Sequence, residues 1–212
     1  IQNASKEQAI NLVTAKVQQA EMSLEDRLAI DLFATSQSSK KIITMATMVD
    51  ATSTIGDINS TTNSFWQATS TTSGSFAAQG LSDLRSTWNS LSKVTPRGTP
   101  DFIMSDQTNY ERYEATVLPH LRIQNEQMGD LGFTNLKFKG ATWMFDTNAT
   151  SGVIYLLSSD RLKLTVHERR NFSMGDWVEP TDQDVKTKKI YWAGQLVCDA
   201  RRKLGKLTSL TA

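Results

Sequence analysis

The sequence has little of what covalent or metal chemistry requires. Its 212 residues include one cysteine, Cys198, and two histidines, His120 and His167. A single cysteine cannot form a disulfide within the chain, which fits a reducing compartment such as a bacterial cytoplasm. Two scattered histidines and one thiol also give no ligand pair at zinc spacing. The sequence therefore predicts neither a disulfide framework nor a metal centre.

Motifs for catalysis or cofactor binding are missing as well. Neither histidine lies in a Gly-x-Ser-x-Gly frame, so no activated nucleophile is indicated. A dyad of Cys198 with one of the histidines is conceivable, but a buried cysteine on a strand and two surface or interface histidines are the favoured interpretation. There is no Walker A sequence, Gly-rich dinucleotide turn or Asp-rich calcium loop. We predict a protein that is not an enzyme, with no cofactor and no small-molecule substrate.

The chain also lacks a charge excess and a long apolar run. It has 23 Lys plus Arg against 22 Asp plus Glu, a formal net charge of +1. A dedicated nucleic-acid-binding protein usually carries a marked basic excess, so the balance argues against that class. No apolar run approaches the ~18–20 residues that cross a bilayer, and no signal peptide is visible, so we expect no membrane partner. Because the first residue is Ile1, we expect the chain to be the remainder of something longer.

What the sequence does contain begins with a long helix, predicted from Ser5 to Phe33. Ser5 and Gln8 stand at capping-box spacing, and no Gly or Pro interrupts the stretch. Apolar residues recur in steps of three and four at Ile10, Val13, Val17, Ala20, Leu24, Leu28 and Leu32. About 28 residues at 1.5 Å each make a rod of roughly 40 Å. Both a bundle or coiled-coil helix and a structural spine fit this length.

The next region, residues 35–75, is rich in serine and threonine, which make up 19 of its 41 residues. Such a composition favours turns and short strands. We predict an ordered but irregular region with a strand around Ile42–Val49 and a loop anchored by Phe65 and Trp66.

Regular elements follow. A helix is predicted over Leu81–Val94, capped by Ser82, with Leu84, Trp88 and Leu91 on one side. Phe102–Met104 is a predicted buried strand. A capping box at Thr108–Glu111 is predicted to start a helix that Pro119 ends or bends.

The remainder reads mostly as strands. Alternation predicts strands around Leu136–Phe138, Trp143–Phe145 and Leu162–Val166, and the apolar run Val153–Leu157 predicts a buried strand. Ile190–Ala200 is predicted as the last substantial strand, with Gly194 at a bulge.

One local charge cluster stands out between residues 186 and 206. It comprises Lys186, Lys188, Lys189, Arg201, Arg202, Lys203 and Lys206. Solvated strand edges and turns are one interpretation, because edge lysines discourage unwanted strand pairing. Contact with acidic neighbouring subunits or with nucleic-acid phosphates is the other, and phosphate contact would be independent of sequence and sensitive to salt.

Several stretches of the second half resemble one family in both content and order. They are FIMSDQTNYERYEATVLPHLR (102–122), GFTNLKFKG (132–140), IYLLSSDRLKL (154–164), VHERRNFSMGDWVEP (166–180) and WAGQLVCDARRKLGKLT (192–208). Together they resemble the carboxy-terminal part of tailed-bacteriophage major capsid proteins, over roughly residues 81–212.

The resemblance implies an α+β chain with the Hong Kong phage-type capsid fold, which encapsulin compartments share. It implies a peripheral domain containing the spine helix at 1–33, an axial domain at 34–158, and return strands of the peripheral domain at 159–212. The family places an amino-terminal arm and an extended loop before the spine helix. This sequence begins almost at that helix, so we expect an amino-terminally truncated form.

The function implied by the resemblance is structural. Copies of the chain would assemble through hexamers and pentamers into the icosahedral head that encloses phage DNA. The protein would be made in the host cytoplasm, reside in the virion capsid and touch packaged DNA by non-specific charge contact. An encapsulin-like compartment shell and, from a different class, a sequence-independent nucleic-acid-binding module are the alternatives.

Overall fold

A computed structural model describes residues 6–94, 98–124, 136–182 and 185–211. Helices and strands alternate irregularly along the chain, as in α+β proteins. The four α-helices are α1 (Lys6–Leu32), α2 (Met45–Met48), α3 (Leu81–Lys93) and α4 (Gln107–Gln124). The predicted long helix is therefore confirmed as one continuous helix from Lys6, while its proposed cap, Ser5, lies outside the described residues.

Twelve short strands are found in the described ranges. The first six are β1 (Thr54–Ile55), β2 (Ile58–Asn59), β3 (Thr69–Thr72), β4 (Phe102–Ser105), β5 (Leu136–Phe138) and β6 (Ala141–Phe145). The others are β7 (Ile154–Leu157), β8 (Leu162–Val166), β9 (Ser173–Met174), β10 (Ile190–Tyr191), β11 (Gly194–Cys198) and β12 (Gly205–Thr208). The predicted strands at 102–104, 136–138, 143–145, 153–157 and 162–166 are confirmed within a residue or two.

Six of the strands form one mixed sheet in the order β3-β12-β7-β4-β6-β5. The pairs β3–β12 and β4–β6 are parallel, and the other three pairs are antiparallel. Three smaller two-stranded sheets pair β1 with β2, β8 with β11, and β9 with β10. The chain thus has one large sheet and several small ribbons.

Apolar side chains cover both faces of the large sheet, which explains why β7 reads as a continuous apolar run. Ile154 and Leu156 point into one core cluster and Tyr155 and Leu157 into the other, and all four are buried. Helix α3 packs into the first cluster through Leu84, Trp88 and Leu91, which are buried as predicted. Helix α3 approaches β12 so closely that a Cβ on Gly205 would lie 2.7 Å from the Leu91 side chain.

The region 35–75 is ordered and irregular, but its predicted strand at Ile42–Val49 is wrong. The helical turn α2 forms there, because the Thr44 side chain caps it by accepting a hydrogen bond from the Thr47 amide. The turn buries Met45 and Met48, three residues apart on one side. Of the two predicted anchors, Phe65 is exposed and Trp66 is half-buried.

The helix predicted over Leu81–Val94 is confirmed as α3, but the caps predicted for α3 and α4 are wrong. Ser82 lies inside α3, because a π-helical segment at Phe76–Gly80 runs directly into the helix. Thr108 lies inside α4, which begins at Gln107, where the carbonyl of Asp106 accepts from the Tyr110 amide. Of the two expectations for Pro119, an end of the helix there is wrong, since α4 continues to Gln124, and a bend stays a prediction.

The single strand predicted at Ile190–Ala200 is wrong too, since the chain changes sheets there. Strand β10 pairs with β9, and after two residues β11 pairs with β8. Gly194 is in regular register with Val166 and forms no bulge. It permits a close approach instead, because a Cβ there would lie 2.9 Å from the carbonyl oxygen of Thr165.

The large sheet draws strands from both sides of residue 158. Strand β12, near the end of the chain, lies between β3 and β7, and its Leu207 is fully buried among residues of the region 34–158. Residues 201–211 therefore belong to the sheet unit, while β8 and β11 form a separate two-stranded sheet that packs against the second core cluster through Leu162, Leu196 and Cys198.

Candidate assembly surface

Helix α1 buries little of its surface within the chain. From Leu12 to Arg27 each side chain is exposed or half-buried, and Leu12 and Met22 are 46% and 69% exposed. A helix of this kind obtains little stabilisation from tertiary packing, and isolated helices are marginal in water. Burial begins at the carboxyl end, where Phe33 enters the second core cluster. The surface of α1 is therefore available to a partner.

A second exposed apolar feature is the ribbon, defined here as residues 173–182 and 185–191, which contains β9 and β10. Its two sides are joined by hydrogen bonds from Gly175 N to Lys189 O and between Val178 and Thr187 in both directions, each 2.9 Å. Trp177 is 50% exposed. Four further large apolar side chains of the ribbon are exposed: Met174, Val178, Val185 and Tyr191.

Helix α1 and the ribbon face each other across a groove of about 690 Å³. Its apolar lining comes from Leu12, Val13, Val17, Ala20, Met174, Trp177 and Ile190. Three lysines, Lys16, Lys186 and Lys188, also line it. The Lys188 ammonium lies 5.5 Å from the centre of the Trp177 ring, and Lys186 pairs with Glu179 at 3.1 Å. The groove is thus apolar with a cationic rim, a combination that suits an apolar partner carrying carboxylates.

The seven residues of the predicted basic cluster do not form one surface. Lys186, Lys188 and Lys189 are exposed on the ribbon. Arg201, Arg202, Lys203 and Lys206 lie in the sheet unit, in or beside a 3-10 helix and β12. Sequence proximity misled here because the chain crosses from one sheet to another between the two groups.

Arg201 is completely buried and holds the irregular region together. The five N–H groups of its guanidinium lie within hydrogen-bond distance of six acceptor atoms, none of which belongs to a carboxylate. They are the carbonyl oxygens of Thr47, Met48, Asp50 and Ser53 and the hydroxyl oxygens of Ser53 and Ser60. Burial lowers the pKa of Arg201. With its planar fork saturated in this way, Arg201 is a structural cation that cannot reach a phosphate.

Lys203 and Lys206 are also committed to the fold. Lys203 is 2% exposed and donates to the carbonyl oxygens of Leu91 and Gly98 at 3.0 and 2.8 Å. Lys206 donates to Asp50 at 2.9 Å. Burial raises the pKa of Asp50, but hydrogen bonds from Lys206 and Thr52 outweigh it and bring that pKa to about 2. Arg202 is half-buried beside β3.

The reactive side chains are held in unreactive settings. Cys198 is buried, and burial raises the pKa of its thiol to about 11, the opposite of an activated nucleophile. It pairs with Leu162 at one end of β8, while His167 follows the other end. Four residue steps along the strand, about 13 Å, separate those ends. The side chain of His120 lies outside the described residues.

Within residues 6–94, 98–124, 136–182 and 185–211, no group of three or more His, Cys, Asp or Glu side chains converges as a metal site would require. No helix there has the length and apolar content to cross a membrane.

Sequence reasoning missed the ribbon as a surface. Trp177 and Met174 lie in the segment 166–180, which was informative only through its resemblance. A usable signal was present: Trp177 stands between Asp176 and Pro180 in a polar stretch that offers no regular core-facing period. A large aromatic in such a setting is typical of an interface.

No protein-family model matches the sequence, and no curated protein sequence matches it. Among solved structures, the chain is similar to one described as "Cyanophage A-1(L) capsid asymmetric unit", with a TM-score of 0.64 and 15% sequence identity. The alignment covers 94% of this chain and 70% of that one. At this identity the likeness concerns the fold. The chain has a phage capsid-like fold, with mixed helices and sheets.

Proposed function

We propose that this chain is a major capsid subunit of a tailed bacteriophage. Copies of it assemble through hexamers and pentamers into an icosahedral head that encloses phage DNA. The observation that carries the proposal is the likeness over 94% of the chain to a cyanophage capsid structure. The order of capsid-like stretches in the sequence from residue 102 to residue 208 supports it independently.

In this proposal the fold is of the Hong Kong phage type. Helix α1 is the spine, and together with β8–β11 and the ribbon it makes up the peripheral domain. The large sheet with α3 and α4 makes up the axial domain, including β12 from the end of the chain. The pairing of β12 with β3 and β7 supports this division.

The distribution of apolar surface supports a role in assembly. A 27-residue helix with so little burial and a ribbon with an exposed tryptophan are poorly stabilised within one copy. In a shell each copy has several neighbours, and heterologous contacts that close into rings can cover such surfaces. An enzyme would need a reactive cleft instead, and the described residues offer a buried thiol and a groove with an apolar lining.

Contact with packaged DNA involves fewer residues in this proposal than the seven of the basic cluster. Arg201 and Lys203 are buried and Lys206 pairs with Asp50, so the exposed lysines of the cluster are Lys186, Lys188 and Lys189 of the ribbon. Binding through these lysines is independent of sequence and collapses with added salt. Replacing all three with glutamine abolishes it, whereas no binding by the parent chain at low salt contradicts this part of the proposal.

Electron microscopy tests the function. The open reading frame that encodes this chain is expressed, and the product is imaged for closed particles of uniform size. The genes beside it separate a phage head from an encapsulin-like compartment: terminase and portal genes indicate a head, and a cargo enzyme without them indicates a compartment. Dispersed single copies at all protein concentrations contradict both shells.

A further inference from the structure

Six residues of α1 form a continuous seam along one side of the helix. They are Leu12, Lys16, Gln19, Ser23, Asp26 and Ile30. Successive members are four, three, four, three and four residues apart, the spacing of the contact positions in paired helices. All six are exposed in the chain. Within the chain, Lys16 donates a hydrogen bond to Gln19 of the same stripe at 3.4 Å, and Leu12 and Lys16 line the groove opposite the ribbon. The seam is therefore an exposed stripe at helix-pairing spacing.

The seam is complementary to itself when reversed. If a second α1 lies antiparallel with its centre opposite Glu21, Leu12 meets Ile30, Lys16 meets Asp26, and Gln19 meets Ser23. The same three pairs recur on the other half, so apolar ends enclose two ion pairs and a polar centre. A contact in which each residue meets its counterpart in both directions is the signature of a two-fold axis.

Charge also selects the direction of pairing. In a parallel alignment in register, Lys16 would meet Lys16 and Asp26 would meet Asp26, and like charges repel across a helix interface. In the antiparallel alignment each Asp26 enters beside the partner's Lys16, where Lys186 and Lys188 line the same groove. Arg27 already forms an ion pair with Asp31 of its own helix, at 3.3 Å, and so does not compete with Lys16 for the partner's Asp26. The charges therefore favour one orientation and one register.

We propose that α1 pairs with α1 of a second copy of this chain, antiparallel and about a two-fold axis near Glu21, through the seam from Leu12 to Ile30. The proposal deepens the proposed function and rests on it, because it names one contact by which copies associate. The seam spans 18 steps of 1.5 Å, about 27 Å. A helix pair of that length buries less surface than the ~1,200 Å² of a stable interface. The pair is therefore weak in solution and persists where other contacts reinforce it.

Zero-length crosslinking tests the register directly. Equal amounts of unlabelled and ¹⁵N-labelled chain are mixed at high concentration and treated with a water-soluble carbodiimide, which joins a lysine amine to a carboxylate that touches it. Peptides are then analysed by mass spectrometry. Lys16 and Asp26 are ten residues apart on one helix, about 15 Å, so a bond between them must join two copies. We expect a Lys16–Asp26 product of mixed isotope content; products that join Lys16 only to other carboxylates overturn the register.

Charge reversal tests the same contact without a reagent. Lys16→Glu and Asp26→Lys each place like charges at both ion pairs and should weaken self-association about tenfold. An equal mixture of the two variants regains association, because each mixed pair contains one native and one reversed ion pair. Glu25→Lys is the matched control, since Glu25 is exposed on another side of α1, and it should leave association unchanged. Equal loss in Glu25→Lys, or no recovery in the mixture, overturns the pairing.

The two hypotheses fail in different ways. If particles form and their yield is the same for the parent chain, Lys16→Glu and Asp26→Lys, the shell survives and the helix pair is rejected. If the crosslink and the mixed recovery appear but the reading frame yields no closed particle, the helix pair survives and the shell is rejected. A crosslink from Lys16 to a different protein in purified particles identifies another occupant of the seam and also rejects the pair.

Discussion

The sheet unit and the α1–ribbon region differ in where they place their large side chains. In the sheet unit Trp143, Tyr155, Leu84 and Leu207 are at most 1% exposed. In α1 and the ribbon, Leu12, Met22, Trp177 and Val178 are between 46% and 69% exposed. One region completes its core within a single copy, and the other presents apolar surface that only a neighbour can cover.

This contrast teaches that folding and assembly use separate parts of the chain. The stability of one copy depends on the two clusters around the large sheet, while the exposed helix and ribbon contribute little to it. Damage to the sheet unit should therefore unfold the protein, and damage to α1 should spare the fold but prevent association.

The largest effect is expected from Arg201→Leu. This change leaves six hydrogen-bond acceptors without their donor in a buried site, so the free energy of unfolding should fall by about 3–5 kcal/mol. Arg202→Leu is the matched control, since it removes the same charge from a half-buried neighbour, and should change stability by less than about 1 kcal/mol. Urea denaturation followed by tryptophan fluorescence measures both. Equal losses would show that the irregular region does not depend on Arg201.

Proline substitutions in α3 and in α1 compare how much each helix contributes to the stability of one copy. Ser86→Pro in α3 should lower the free energy of unfolding by about 3 kcal/mol or more, because α3 covers the core of the sheet. Val17→Pro disrupts α1 by a similar local amount. It should nevertheless leave the unfolding midpoint of the sheet unit nearly unchanged, while helical circular dichroism falls and association is lost. A large drop in that midpoint for Val17→Pro would mean that α1 belongs to the core.

A smaller effect is expected from Asp50 on the free energy of unfolding at acid pH. The pKa of Asp50 is about 2 in the folded chain, below its ordinary value of 3.8. A lowered folded pKa adds stability that is present above pH ~4 and lost as the pH falls towards 2. Asp50→Asn should therefore be less stable than the parent by about 1–2 kcal/mol at pH 6, and the difference should vanish near pH 2. A difference that is constant across this range would contradict the ion pair with Lys206.

The smallest effect on stability is expected at Cys198, where the measurement is a rate. Because burial raises the thiol pKa to about 11, the native chain should react with iodoacetamide at pH 8 far more slowly than the urea-unfolded chain. Since the raised pKa favours the neutral thiol, ionisation should oppose folding above about pH 9. Fast alkylation of the native chain would place Cys198 on the surface rather than in the second core cluster.

The sequence was sufficient where the local pattern was strong. Helix α1 followed from its unbroken periodicity, and the buried face of α3 and strand β7 followed from patterns with which the final packing agrees. Prediction from the sequence failed where a tertiary contact determined the secondary structure. Ile42–Val49 has strand propensity but contains a capped helical turn. Ile190–Ala200 is divided between two sheets, although no Pro or long loop marks the break.

The candidate surface was harder to predict than the fold. The basic cluster looked like one patch because its members are close in sequence, but burial of Arg201 and Lys203 depends on acceptors about 105 to 154 residues away. Conversely, the exposure of Leu12 and Trp177 cannot be read from residue type, because both are ordinary core residues. Periodicity predicts which side of a helix is apolar, but not whether the same chain covers it.

Imaging of the assembled product tests the central claim most directly. The reading frame that encodes this chain is expressed, and the purified product is examined by cryo-electron microscopy. The account predicts closed icosahedral particles in which α1 and the ribbon are covered by neighbouring copies and the large sheet retains the order β3-β12-β7-β4-β6-β5. A product that stays as single copies at every concentration, with α1 and Trp177 exposed to solvent, would contradict it.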